Sequence, residues 1–215
     1  MGEASTGTFV TLEGPDGSGK TTQAQLLVDW LRDRGYEVLL TREPGGTEIG
    51  NQIRAVLHDP DNAAMDSRTE FLLYSASRTQ HVSELILPAL SAGMLVVSDR
   101  YADSSLAYQG YGRGLDLELL RLITAFATRG LKPDITVYLD IAPDEGLQRR
   151  LLSGEEWNRM DAEALAFHRR VRSGYLQLAE AEPDRWKVVR ADRPTGEIQA
   201  DVRAVVSAYL GLRTD

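Results

Sequence analysis

Phe9-Val10-Thr11-Leu12-Glu13-Gly14-Pro15-Asp16-Gly17-Ser18-Gly19-Lys20-Thr21-Thr22 is the stretch on which the fold turns. Residues 9–12 are an apolar run long enough for a buried strand. Gly14, Pro15, Asp16, Gly17, Ser18, Gly19, Lys20 and Thr21 match G-x-x-x-x-G-K-[ST]. Residues 23–34 follow with helical periodicity, so the loop joins a strand to a helix as a phosphate-binding loop must. Its glycines let successive backbone N–H groups wrap a polyphosphate. The helix beginning near Lys20 adds its positive dipole end. Lys20 reaches the β- and γ-phosphates in such a loop, and the Thr21 hydroxyl ligates Mg²⁺. The loop predicts a nucleoside triphosphate and does not name what receives the phosphate.

Outward from this loop, strand-like runs recur at 38–41, 95–98, 135–139 and, most weakly, 188–189. Helical patterns lie between them. The alternation predicts an α/β fold, a five-stranded parallel sheet with helices on both faces. Ligands of such sheets bind at the carboxyl ends of the strands. Arg42 and Glu43 follow the second strand and are ended by Pro44-Gly45-Gly46. They suit that edge, with a surface ion pair as the alternative for Arg42. Asp99 and Arg100 end the third strand. An Asp there is the usual second contact to Mg²⁺, and an Asp that caps a turn is the alternative. Phe71, Tyr74 and Arg78 share one helical face at i, i+3 and i+7. They suit a stacked base with a donor beside it, or a core aromatic with a snorkelling arginine. Ser104, Ser105, Tyr108 and Gln109 read as a polar stretch and 110–114 as flexible. Residues 116–128 read as a helix with Leu119, Leu120, Ile123 and Phe126 inward, and His168-Arg169-Arg170 as a solvated face.

The whole chain, 1–215, reads as one domain with a frayed tail at 1–7 and a polar segment at about 146–161 placed to act as a lid. At 215 residues it is long enough for a proper core. A net charge of -8 argues against sequence-independent nucleic-acid binding. No apolar run reaches membrane-spanning length and no signal peptide opens the chain, which predicts a cytoplasmic protein without a membrane partner. The opening Met1-Gly2 fits an acylation pattern, but no basic cluster supplies the second membrane signal.

Taken together these residues resemble thymidylate kinases of the bacterial type, over about 9–210. The resemblance rests on Leu12-Glu13-Gly14-Pro15-Asp16-Gly17, Thr41-Arg42-Glu43-Pro44-Gly45-Gly46, Leu72-Leu73-Tyr74-Ser75-Ala76-Ser77-Arg78, Asp99-Arg100-Tyr101 with Ser104 and Ala107-Tyr108-Gln109-Gly110, and more weakly Asn158-Arg159-Met160-Asp161. It implies a P-loop kinase fold with a small mobile lid, transfer of the γ-phosphate of ATP to dTMP with Mg²⁺, and a homodimer packed through helices. Carried onto this sequence, it puts Asp16 at the sugar 3′-hydroxyl and Arg42 and Arg100 on the dTMP phosphate. Tyr74 stacks on thymine, Arg78 bonds a thymine carbonyl, and Tyr108 lies at the sugar 2′ position. Ser104 and Gln109 belong to the same substrate site, Thr21 and Asp99 serve Mg²⁺, and Lys20 and Arg100 are catalytic. The stacking residue is Tyr where the family usually has Phe, and Leu151 and Ser153 stand where its lid is often basic. Some members carry a catalytic arginine inside the phosphate loop, where this chain has Gly17. The missing charge then falls to the lid, with Arg159 and Arg149 ranked above Arg150. The other readings are a kinase for another nucleoside monophosphate or a deoxynucleoside, and an ATPase switch without an acceptor.

Overall fold

The computed structural model describes residues 7–152, 154 and 158–212. The apolar runs become β1 (Phe9–Glu13), β2 (Val38–Arg42), β3 (Leu95–Asp99), β4 (Ile135–Asp140) and β5 (Trp186–Arg190). They pair in parallel in the order β2-β3-β1-β4-β5. Each parallel pair needs a crossover, which the helices supply: α1 (Lys20–Arg32), α2 (Glu48–His58), α3 (Ser67–His81), α4 (Leu87–Ser91), α5 (Ala102–Ser105), α6 (Leu117–Thr128), α7 (Pro143–Leu152), α8 (Leu165–Ala181) and α9 (Thr195–Leu210). Of the sequence-derived segments, residues 1–6 of the tail and Ser153 and 155–157 of the lid lie outside the described residues.

Alternation along the strands divides the core. Val10 and Leu12 of β1 pack with Leu27, Leu31 and Val202 on one face of the sheet. Phe9 packs with Val82, Ile86 and Tyr101 on the other. An aromatic cluster of Tyr108, Phe167, Tyr175 and Trp186 completes that second face under α8. β1 is buried along its whole length, as expected of a central parallel strand covered on both sides. The strands run slightly longer than their apolar runs because polar residues end them: Glu13, Arg42, Asp99 and Asp140 all close strands. The register sets Asp99 beside both Leu12 and Arg42. The winding reverses at β1, with β3 on one side and β4 on the other, and a crevice opens there at the carboxyl edge.

Three sequence expectations differ from the structure. The stretch read as polar and then flexible is α5 followed by a buried π-helical segment, Leu106–Gly112. Its glycines serve packing: a Cβ on Gly112 would meet the Phe167 ring at 2.7 Å. On α6 only Leu120 of the four expected residues is deeply buried, whereas Leu119 and Phe126 are 53% and 84% exposed. His168 is buried with its ring edge-on to Phe167, while Arg169 and Arg170 stay exposed.

Candidate active site

The site begins where β1 turns into the loop. Gly17 has a left-handed φ of 74° and its Cα faces the Gly146 backbone of α7 so closely that no Cβ fits. A side chain at this position is therefore excluded on two grounds. Gly19 precedes α1, and no side chain caps that helix. Its first N–H groups remain for an anion. Thr47, Asp66 and Asp116, by contrast, cap α2, α3 and α6. Lys20 is only 7% exposed and donates to the Pro15 carbonyl at 2.8 Å and Ser18 Oγ at 3.3 Å. Burial, and then the Arg100 charge, pull its ammonium down to about 8. The Thr21 hydroxyl donates to Asp99 Oδ2 at 2.5 Å, so the loop and the end of β3 meet through two oxygens.

Arg100 has the left-handed φ of 70°, a conformation that a non-glycine residue holds only under constraint. Its N–H donates to the Leu12 carbonyl and its own carbonyl accepts from Ser98 Oγ. The guanidinium donates to the Gly14 carbonyl at 2.9 Å, Ser104 Oγ, the Tyr175 hydroxyl, the Tyr108 hydroxyl and Asp16 Oδ1. Tyr108 also donates to Asp16 at 2.8 Å. Burial would raise the Asp16 carboxyl, but Arg100, then Lys20 and Tyr108, hold it at about 2. Beneath them Glu13 is wholly buried and accepts from the Tyr101 N–H, Ser104 Oγ and the Tyr175 hydroxyl. Burial, then Asp103, push its carboxyl up to about 7.

Above Glu13 opens a cleft of about 500 Å³, within the usual range for small-molecule sites. Asp16, Gly17, Gly19, Lys20 and Thr21 form its loop side. Arg42, Tyr74, Asp99, Arg100, Ser104, Tyr108 and Gln109 line the rest of it, and Arg149 enters from α7. Gly14, Pro15 and Ser18 lie behind the wall, where they hold Arg100 and Lys20. The cleft gathers six basic side chains, Lys20 and five arginines, against Asp16, Glu43 and Asp99. In a chain of net charge -8 this local excess focuses attraction on a polyanion.

Arg78 and Arg159 do not line the cleft. Arg78 is 1% exposed, with Nε on Glu43 at 2.7 Å and Nη2 on Ser105 Oγ at 3.0 Å. Its Nη1 is buried without a partner among the described residues. Arg159 turns the other way, correcting its place at the head of the lid ranking. Its Nε donates to the Leu57 carbonyl at 3.1 Å and its Nη1 pairs with Glu70 at 2.6 Å. A buried carboxylate on α3 attracts it more strongly than an open cleft does. Arg149 and Arg150 do reach the cleft. Arg149 is 38% exposed and pairs with Glu145, whereas Arg150 is 14% exposed and pairs with the buried Asp161.

Sequence reading missed Arg54, His58, Glu13 and Tyr175. Arg54 donates to the Pro44 carbonyl at 3.1 Å and lines the cleft. Its signal was present: Gly50, Arg54 and Leu57 share the inner stripe of α2, and an arginine in an apolar stripe marks a charged site. His58 also lines the cleft, and burial, then Arg54, hold it neutral at about 4. Nothing local marks Tyr175, which joins Glu13 from 162 residues away.

The thymidylate kinase family model matches residues 12–202. A thymidylate kinase of Roseiflexus sp. (strain RS-1) is 50% identical, covering 94% of each chain. One of Clostridium novyi (strain NT) is 49% identical, over 92% of this chain and 97% of its own. The crystal structure of thymidylate kinase from Ehrlichia chaffeensis superposes with a TM-score of 0.78 at 33% identity, covering 94% of this chain and 99% of that one. With a family match along nearly its whole length and relatives half identical to it, the chain belongs to the thymidylate kinase family.

Proposed function

We propose that the cleft holds ATP and dTMP end to end and passes the γ-phosphate between them, giving ADP and dTDP. Family membership supplies the reaction. The observation that carries the assignment of sides is that an uncapped helix N-terminus with Lys20 shares one cleft with two cations from strand ends, Arg42 after β2 and Arg100 after β3, the latter tied to the loop at Gly14 and Asp16. The loop and α1 take the ATP phosphates, and Arg42 and Arg100 take the dTMP phosphate. Tyr74 stacks on the base, with its hydroxyl pushed up to about 12 by burial and so neutral. The unpartnered Arg78 Nη1 is suited to donate to a thymine carbonyl. Ser104 acts through Arg100, which it helps to hold. Asp16 and Tyr108, already bonded together, meet the sugar at its 3′ and 2′ positions.

The Thr21 hydroxyl and Asp99 carboxylate fit Mg²⁺: both are hard oxygens, and Mg²⁺ takes one or two protein oxygens beside phosphates and water. When bound, the ion neutralises phosphate charge. Phosphoryl transfer asks little covalent chemistry of the protein. The chain orients the two phosphates, supplies positive charge, and excludes water through a lid at 146–161. Gly17 leaves Lys20 as the loop's own cation, with no arginine beside it, and the more exposed Arg149 is the better lid candidate.

Leu119, Leu122 and Phe126 on α6 are exposed at 53%, 69% and 84%, and Leu72 of α3, which packs beside α6, is exposed as well. The size and apolar character of this row support a second copy of the chain as its cover. No helix among the described residues is long and apolar enough to cross a membrane, and the family's nucleotide substrates support a cytoplasmic setting. The test is ADP release from ATP with each nucleoside monophosphate in turn. Turnover with dTMP well above the others is expected. Equal turnover without any acceptor would replace this reading with an ATPase switch.

A further inference from the structure

Glu70, Tyr74 and Arg78 stand at i, i+4 and i+8 on α3, on one face of the helix. Glu70 is 0% exposed, yet four donors close on its carboxylate. Gln109 Nε2 and Arg113 Nε donate to Oε1 at 2.8 and 3.2 Å. Arg113 Nη2 and Arg159 Nη1 meet Oε2 at 2.9 and 2.6 Å. Burial alone would raise this carboxyl, but the Arg113 and Gln109 hydrogen bonds hold it below its ordinary value. An ionised carboxylate accepts and never donates. The Gln109 amide must therefore turn Nε2 toward Glu70, and Oε1 is the end left for the cleft that Gln109 lines. Among the described residues no donor reaches that Oε1.

We infer that Glu70 is a positioning residue that sets base choice, by fixing the Gln109 amide so that an acceptor faces the bound base. The inference rests on the reading that the base stacks on Tyr74. Arg78 supplies the complementary donor: its Nη2 bonds the cleft-lining Ser105 Oγ, and its Nη1 has no partner among the described residues. A donor beside an acceptor matches the O4 carbonyl and N3–H of thymine or uracil. Cytosine shows the reverse, an amino group beside a ring lone pair, and meets like against like at both positions. A site whose buried polar groups are left unpaired by the wrong substrate discriminates far better than an apolar pocket does.

The experiment compares kcat/KM for dTMP and dCMP at saturating ATP in the wild type and in Glu70→Gln. The substituted amide accepts or donates, so Gln109 is free to turn. The preference for dTMP over dCMP is expected to fall by at least about tenfold, chiefly through the acceptor KM, with the KM for ATP unchanged. Parallel losses for both acceptors and ATP would show a merely structural role and overturn the inference. Glu70→Gln removes the counter-charge of two arginines, so its folding is checked by melting. A measurement on the wild type stands beside it: one Gln109 Nε2 proton should resist exchange with water in the ¹⁵N-labelled protein, both free and with dTMP bound. Rapid exchange in the free protein overturns the inference. Gln109→Leu separates the two levels. If it leaves the KM for dTMP unchanged, the base does not lie there and both readings fall. If it raises that KM while Glu70→Gln keeps the preference intact, only the positioning role falls.

Discussion

Replacing Arg159 by methionine separates an anchor from a catalytic group. The side chain is 6% exposed and is tied to the Leu57 carbonyl of α2 and to Glu70 of α3. Methionine keeps much of its volume and removes the charge. Breaking a buried ion pair by deleting one partner costs about 3–5 kcal/mol. Glu70 retains Arg113 and Gln109, so the lower end, about 3 kcal/mol, applies. For a domain of this size each kcal/mol moves Tm by about 2–4 °C, giving a fall of about 6–12 °C. The folded enzyme at 25 °C should keep its kcat within about threefold, because the guanidinium does not reach the cleft. Arg149→Ala should behave oppositely. Its exposed pair with Glu145 is worth only about 0.3–0.5 kcal/mol and its bond to the Ala191 carbonyl about 1 kcal/mol, so Tm should fall less than for Arg159→Met. Losing a cation that meets the transferring phosphoryl group should lower kcat by about 10²–10⁴. Differential scanning calorimetry and turnover at saturating ATP and dTMP read both quantities. An Arg159→Met enzyme that melts like the parent and loses about a hundredfold in kcat would refute the placement argument.

Three further outcomes are expected. Because burial and Arg100 pull Lys20 down to about 8, the free enzyme loses this charge as pH rises through 8. ATP affinity should then weaken above pH 8 and hold steady just below it, while Lys20→Arg stays charged and flat; calorimetric Kd values that do not change up to pH 9.5 in the parent would contradict this. Arg78→Ala should raise the KM for dTMP far more than that for ATP, with about a 10- to 150-fold loss in kcat/KM for one charge-assisted hydrogen bond; an equal effect on both substrates would mean that the residue serves only Glu43. Phe126→Asp puts a charge in the exposed α6 row and should convert a dimer to a monomer in sedimentation, which an unchanged mass would rule out.

Much of this molecule is local and legible in its sequence. The phosphate loop is a chain of consecutive residues whose glycines and lysine act at fixed spacing, so Gly14 to Thr21 could be read as a unit. The strands that flank it are short apolar runs, and the parallel sheet follows from their alternation with helices. The residues that end them, Arg42, Asp99 and Arg100, fall at the carboxyl edge for the same reason, and all three line the cleft. Periodicity also finds that a helix has an apolar stripe. It does not say whether that stripe meets the core or a second chain, and so Leu119 and Phe126 were turned the wrong way. The segment Leu106–Gly112 defeated a polarity argument because its polar groups are satisfied by partners far along the chain: Gln109 by Glu70 and Tyr108 by Asp16. Arg159 shows the same dependence. A flexible guanidinium goes to whichever buried anion tertiary packing brings near, and here that is Glu70 on α3. Local spacing and alternation are enough for the loop motif, the sheet and the family likeness. Tertiary structure alone decided which charges face the cleft and which face one another, because the partners of a buried charge are set by non-local contacts that no spacing along the chain records.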